Sequence, residues 1–222
     1  MIGTVFIDLE QGTPQWLDMK RGLVSTSRFG DVLSKGRGGK ESYSRRNYRT
    51  ELVLERLTGK TPTRFDKTKE MEWGSDTEAL ARVEFGLRYQ TAIQQIGGIK
   101  HAFLNVWTST DGVNDPTAIK TVYEFKCFNS ANHKEMLVKQ ELPAEYKAQA
   151  QGEIWVSEAD VCIFVSFDPD FPPNAQLVVI VEKRDQKYID NLAVDVSNFD
   201  DEVEAEIATI RNYEPKKELA QE

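Results

Sequence analysis

The chain has 222 residues, 40% hydrophobic and 10% aromatic, with a formal net charge of -8, which allows one sizeable core and is too short for two comfortable domains. No stretch approaches a membrane span, and Met1 to Glu10 lacks the basic start and long apolar run of a secretory leader, so a cytoplasmic protein without a membrane partner is expected. The two cysteines, Cys127 and Cys162, exclude a four-thiolate iron–sulfur cluster and read as reduced core thiols.

The negative balance argues against a passive DNA-coating protein, yet it is unevenly placed. Lys20 to Lys69 holds fourteen Lys or Arg against five Asp or Glu, whereas Asp185 to Glu222 holds four against eleven. A basic N-terminal third suits phosphate contact, and an acidic C-terminal region suits a solvated outer surface that repels nucleic acid.

In chain order, Val5, Phe6 and Ile7 read as a short strand. Thr13-Pro14 then supplies an N-cap and a proline at the first helical position for a helix that carries Trp16, Leu17 and Met19 and stops near Gly22. Trp16 reads as a core anchor, with stacking on a DNA end as the alternative. Ser25-Thr26-Ser27 opens a helix through Leu33, where hydroxyls either cap the helix or seat a phosphate on its unpaired N–H groups. Lys35 to Lys40, three cations and three glycines, predicts a mobile loop. A helix over about Tyr43 to Thr58 should end at Gly59 with Leu52, Val53, Arg56 and Leu57 inward. Its first turns carry Arg45, Arg46 and Arg49 against the helix dipole, a placement that suggests a partner.

Gly74-Ser75-Asp76 predicts the start of a helix running to Gly86, with Glu78 in its first turn, where a carboxylate is locally favourable whether or not it has another role. Leu87 to Trp107 suggests a hairpin broken at Gly97-Gly98. Asn132 to Val138 reads as helix, and Pro143 opens a longer one through Tyr146, Gln149, Ile154 and Trp155, with Tyr146, Gln149 and Glu153 on one polar or half-polar side. Val161 to Phe167 and Leu177 to Val181 have the composition of strands buried on both faces. From Asp185 the chain should be helical and acidic, with Ile189, Leu192, Val203, Ile207 and Ile210 as its inner stripe. The order predicts an α/β (α+β) protein with a central mixed β-sheet flanked by helices, a single domain over residues 1–214 and a disordered tail at 215–222.

The stretch with most chemical content is Trp107 to Cys127. Two β-rich runs joined by a turn at Gly112 to Pro116 put Asp111 at the end of one strand and Glu124 and Lys126 on the next. Strand alternation places Glu124 and Lys126 on one face and Phe125 on the other. Two like-facing charges in an apolar strand need a partner. A divalent metal on Asp111, Glu124 and the Phe125 carbonyl would supply one, with Lys126 polarising water or neutralising phosphate charge. The alternative is a solvated hairpin with Glu124 and Lys126 as a surface pair.

Five segments, W-L-D-M-K-R-G-L-V-S-T-S from Trp16, W-G-S-D-T-E from Trp73, S-T-D-G from Ser109, E-F-K-C from Glu124 and Y-K-A-Q-A-Q from Tyr146, stand in the order and spacing of a known family. The chain resembles the lambda exonuclease (YqaJ-type) viral recombinases over about Gln11 to Tyr188. The resemblance implies a restriction-endonuclease-like fold of PD-(D/E)XK type and a Mg2+-dependent exonuclease, with two ions and Mn2+ able to substitute. Such an enzyme degrades one strand of linear double-stranded DNA from its 5′ end, leaving a 3′ overhang for a single-strand annealing protein, and assembles as a homotrimeric ring. It also implies roles for single residues. Asp111, Glu124, the Phe125 carbonyl and Glu78 match the metal site, Lys126 the catalytic lysine, and Gln149 a glutamine near the attacking water or metal. Ser25, Ser27, Ser109, Lys20 and Arg45 are the candidates for DNA and 5′-phosphate contact. Lys20 stands where the family often has arginine, so the two-pronged phosphate contact of a guanidinium is lost there. In such a ring the basic third would line the hole and the acidic helices would face out. Two rival functions remain at this stage, an endonuclease or repair nuclease of the same fold and a catalytically silent DNA-end binding module.

Overall fold

The computed structural model describes residues 3–61 and 69–215, the side chains of residues 69–76 excepted. The expected disordered tail lies outside the described residues from residue 216 onward. Strand β1 (Thr4–Phe6) is followed by helix α1 (Pro14–Lys20), whose N-cap Thr13 accepts a hydrogen bond from Trp16 N. Trp16 is buried and donates its indole N–H to Gly97 O at 2.6 Å, so it is a core anchor. Strand β2 (Val24–Ser25) runs into a 3-10 turn, Thr26–Arg28, and the short helix α2 (Phe29–Leu33).

The stretch expected as a mobile loop contains a second 3-10 turn, Arg37–Gly39, closed by a bridge between Lys35 and Glu41. Gly38 and Gly39 both adopt positive φ there, which glycine does at low cost. Helix α3 spans Tyr43–Thr58, between Ser42, which caps Arg45 N, and a left-handed Gly59. Helix α4 (Lys69–Tyr89) starts well before Gly74, so Glu78 lies in its interior and not in its first turn. Local capping signals placed that start too late because the helix continues through them.

The β-structure forms two mixed four-stranded sheets. Strands β3 (Gly98–Lys100) and β4 (Val106–Thr108) are an antiparallel hairpin in the first sheet, ordered β1-β3-β4-β2, with β2 parallel to β4. Its turn lies at residues 101–105 and not at Gly97-Gly98. The second sheet is ordered β5-β6-β7-β8, from β5 (Gly112–Val113), β6 (Thr121–Lys126), β7 (Val161–Phe167) and β8 (Leu177–Lys183). Strand β6 is antiparallel to β5 and parallel to β7, and β8 is antiparallel to β7. The strand expected to run to Asp111 ends at Thr108 in β4, while Gly112 and Val113, expected in the turn, form β5 of the other sheet, and the turn to β6 occupies residues 114–120. Strand β8 is an edge, with Val181 exposed, so only β7 is buried as its composition suggested.

Helices α5 (Ser130–Lys139) and α6 (Lys147–Ser157) flank the second sheet, α6 entered through a 3-10 turn at Ala144–Tyr146. Helix α7 (Gln186–Arg211) is capped by Asp185 and buries Ile189, Leu192, Val196, Phe199, Val203 and Ile207, whereas Ile210 is exposed. The main core joins α2, α3, α6 and α7 to the inner faces of the strands, with Phe29, Leu52, Ile154 and Phe199 buried in it. A second cluster packs Ala81 and Phe85 of α4 against Tyr123 and Phe125 of β6. Alternation along β6 thus gives the odd positions to α4 and leaves Glu124 and Lys126 on the opposite face.

The acidic C-terminal helix does not face out alone. It packs along α3, where Arg45 binds Glu202 and Glu41, Arg49 binds Glu41, Glu202 and Glu206, and Arg56 binds Asp200 and Glu204. Opposite charges from the two ends of the sequence meet inside one molecule at Arg45, Arg49 and Arg56, so these three arginines are engaged within the chain. The fold class stands, as a mixed α/β protein with two mixed sheets flanked by helices.

Candidate active site

Strand β5 is short, and its start builds the site. Gly112 pairs with Tyr123, while Asp111 N also donates to Tyr123 O at 3.0 Å, so two residues face one, as in a β-bulge. The buried Thr110 hydroxyl donates to the same carbonyl at 2.7 Å and fixes the bend. The bulge turns the Asp111 side chain onto the next open position of β6, where its Oδ2 accepts from Phe125 N at 2.7 Å. A strand residue directs its N–H and C=O to one side, so the Phe125 carbonyl shares the edge that Asp111 covers.

Glu124 is 3% exposed, and its Oε1 receives two donors, Lys126 Nζ at 2.6 Å and Gln149 Nε2 at 2.7 Å. Its Oε2 is buried without a partner, an arrangement that costs free energy unless a cation or donor arrives. Gln149 also donates from Nε2 to Glu153 Oε1 at 2.8 Å, and Glu153 is fully buried. Glu78 is held by Arg82 one helical turn away.

The electrostatics show that these groups share one environment. Burial, with the charges of Glu124 and Glu78, raises Asp111 well above the usual carboxylate range. Burial raises Glu78 as well, opposed by Arg82 and aided by Glu124. Burial and Glu124 together raise Glu153 well above its ordinary value. Burial alone would lower Lys126, but the adjacent Glu124 outweighs it and holds the ammonium charged. Paired with Glu124, Lys126 is a donor and a positive charge. Its Nζ also lies 5.6 Å from the Tyr146 ring centroid. Burial followed by Glu78 and Asp111 pushes the Cys127 thiol up to about 12, so it is no nucleophile. Both cysteines are free thiols, as expected.

Among the described residues no three His, Cys, Asp or Glu side chains stand together as a ready metal-ligand set. The donor chemistry nonetheless suits a hard divalent cation, because carboxylates that raise one another's pKa and an orphaned buried carboxylate oxygen mark a deficit of positive charge. Asp111, Glu124, the Phe125 carbonyl and Glu78 are the residues that would hold it.

The candidate phosphate seat is partly assembled. Ser25 and Ser27 hydroxyls lie 3.0 Å apart, and Thr26 Oγ1 and Thr108 Oγ1 lie 2.8 Å apart, which ties the seat to the residue before Ser109. Neither serine side chain caps its helical turn, so capping does not consume them. Lys20 Nζ lies 4.0 Å from the Trp16 ring centroid, and burial lowers its pKa against the pull of Glu55 and Glu51. Arg45 does not join this group, because its guanidinium is engaged by Glu41 and Glu202 and its Nε by Val32 O. The seat and the acidic cluster meet through α6, where Gly152 lies against Phe29 and Thr26 and Gln149 and Glu153 face Glu124.

Sequence reasoning overlooked Glu153 and Arg82 as parts of the site. Glu153 stands four residues after Gln149, a spacing that solvent-facing polar pairs share. Its burial is decided by packing against β6 and β7.

The YqaJ-like viral recombinase domain profile matches residues 15–160. Among solved structures, the chain is similar to an alkaline exonuclease, LHK-Exo, from Laribacter hongkongensis, with a TM-score of 0.80 and 29% identity over 90% of this chain and 96% of that one. The same enzyme in complex with dAMP gives a TM-score of 0.80 and 30% identity over the same shares. A phage related exonuclease from Haemophilus somnus 129PT shares the fold, with a TM-score of 0.63 and 18% identity over 86% and 99%. No curated protein sequence matches.

Proposed function

The chain belongs to the YqaJ-like viral recombinase family, and from that premise we propose that it is a DNA exonuclease that digests one strand of linear duplex DNA from the 5′ end. The observation that carries this reading is the buried Glu124, joined to Lys126 and Gln149, beside the raised carboxyls of Asp111 and Glu78. Magnesium, as two ions with manganese able to substitute, is the proposed cofactor, and it would supply Lewis-acid activation of water and relief of charge on the leaving oxygen.

The chain's own residues have separable tasks. Lys126, kept charged by Glu124, donates to a phosphate oxygen on which negative charge builds. Asp111 is fixed by the Phe125 N–H and by the bulge, so its free oxygen has a defined direction. Gln149 spends both amide hydrogens on carboxylates, and its oxygen remains to orient water. Ser25, Ser27 and Ser109, with Lys20 as charge, would receive the terminal 5′-phosphate. The 3′ overhang left behind is the substrate of a strand-annealing partner, and a ring-shaped homotrimer around the DNA would keep the enzyme on its track.

The test is digestion of duplexes labelled at either end, beside a covalently closed circle, with magnesium or with chelator. Release from the 5′ end only, with the circle intact and no product in chelator, is expected. Lys126→Ala should lose about 100-fold or more in rate while still binding duplex, and Ser27→Ala should narrow the preference for 5′-phosphoryl over 5′-hydroxyl ends. Cutting of the circle would instead establish an endonuclease, and magnesium-independent inertness a silent end-binding module.

A further inference from the structure

A single nitrogen joins two carboxylates at the floor of the site. Gln149 Nε2 donates to Glu124 Oε1 at 2.7 Å and to Glu153 Oε1 at 2.8 Å, and its two hydrogens are thereby both used. Rotating the amide by half a turn would set its oxygen against two carboxylate oxygens, so only one orientation is compatible with both neighbours. Glu124 alone would restrain one N–H and leave the side chain free to turn about that contact. Glu153 supplies the second restraint.

Glu153 is itself enclosed. It is fully buried in α6, and its Oε2 lies 3.9 Å from the Cys162 Sγ on β7. The helix is closely packed beside it, since a Cβ at the neighbouring Gly152 would stand 2.6 Å from two ring carbons of Phe29. A buried carboxylate is costly, and an apolar side chain of the same volume would serve the core as well or better. A purely structural role therefore does not account for it.

We propose that Glu153 is a positioning residue for the nuclease reaction, acting mainly through Gln149. It locks the amide so that the Gln149 oxygen faces the reacting water while the nitrogen braces Glu124. This rests on the exonuclease reading above, in which Gln149 works beside the scissile phosphate.

The test uses the full chain in four forms, wild type, Glu153→Met, Gln149→Ala and the double variant, with a further Glu153→Gln form that keeps an acceptor oxygen. Glu153→Met fills the volume without an acceptor and should lower kcat about tenfold with KM within about twofold. Glu153→Gln should recover most of that loss. In the Gln149→Ala background Glu153→Met should cost much less, since the residue it mainly positions is gone. An unchanged kcat in Glu153→Met, or the same loss with and without Gln149, would overturn the proposal. A second readout needs no activity and no variant. In 15N-labelled wild type, the Gln149 side-chain amide should give two resolved protons protected from solvent exchange, and a rapidly exchanging pair would overturn it even if Glu153→Met melts. Wild type that fails to digest duplex with magnesium would instead reject the exonuclease reading and leave the amide measurement standing.

Discussion

Replacing Gly152 by alanine should destabilise the protein and loosen the phosphate seat, although alanine is the better helix former. The added Cβ would lie 2.6 Å from Cδ2 and 2.6 Å from Cε2 of Phe29, and 3.3 Å from Thr26 Cγ2. Ordinary contact begins near 3.4 Å, so the ring or the helix must move by close to an ångström. Phe29 is fully buried against Trp155, with ring centroids 6.1 Å apart, and has no open space to enter. Overpacking of this kind costs about 1–3 kcal/mol, against about 1 kcal/mol returned by helix propensity. The net loss is about 0–2 kcal/mol, or a fall in Tm of up to about 8 °C for a chain of this length. Phe29 directly follows the Thr26–Arg28 turn, so the same displacement shifts Ser27 and should weaken discrimination between 5′-phosphoryl and 5′-hydroxyl ends. Thermal melts followed by circular dichroism read the first effect, and paired digestion rates read the second. In a Phe29→Leu background the cost of Gly152→Ala should shrink, because the colliding ring carbons are absent. A Tm above that of wild type, the gain that helix propensity alone would give, would refute the claim that this contact is tight.

Two further predictions concern charge. Asp111 has its pKa raised in the fold by burial and by Glu124 and Glu78, so the native state holds its proton to higher pH than the unfolded chain does. In chelator, its contribution to stability is therefore most favourable below the unfolded carboxylate value and declines as pH rises through the raised value. Asp111→Asn keeps an oxygen for the Phe125 N–H and removes the charge, so its Tm at neutral pH should exceed that of wild type, and magnesium should raise Tm in wild type alone. A lower Tm for Asp111→Asn in chelator would contradict the charge argument. Arg49→Leu should cost about 1 kcal/mol, because it strands Glu206 and leaves Glu41 and Glu202 to Arg45 alone, and the partial exposure of these carboxylates limits the loss. The cost should fall as salt rises while duplex affinity stays unchanged. Weakened DNA binding would return the α3 arginines to the interface.

Much of this protein was legible along the chain because the relevant signals are local. Thr13-Pro14, Gly59 and Asp185 mark helix ends through bonds within one turn, and alternation on β6 placed Glu124 and Lys126 on one face by strand geometry alone. The pattern of Asp111, Glu124 and Lys126 and the five matched segments pointed to the family for the same reason, since they are read from identity and spacing. Other features depend on which distant surfaces meet. The split of the Trp107 to Val113 run between two sheets, the pairing of Arg45, Arg49 and Arg56 with the acidic helix, and the full burial of Glu153 beneath Gln149 arise from tertiary packing. A charge carries no local sign of whether water, a phosphate or another side chain will neutralise it. For the α3 arginines the answer was a helix some 150 residues away in sequence, and for Glu153 it was a single amide nitrogen.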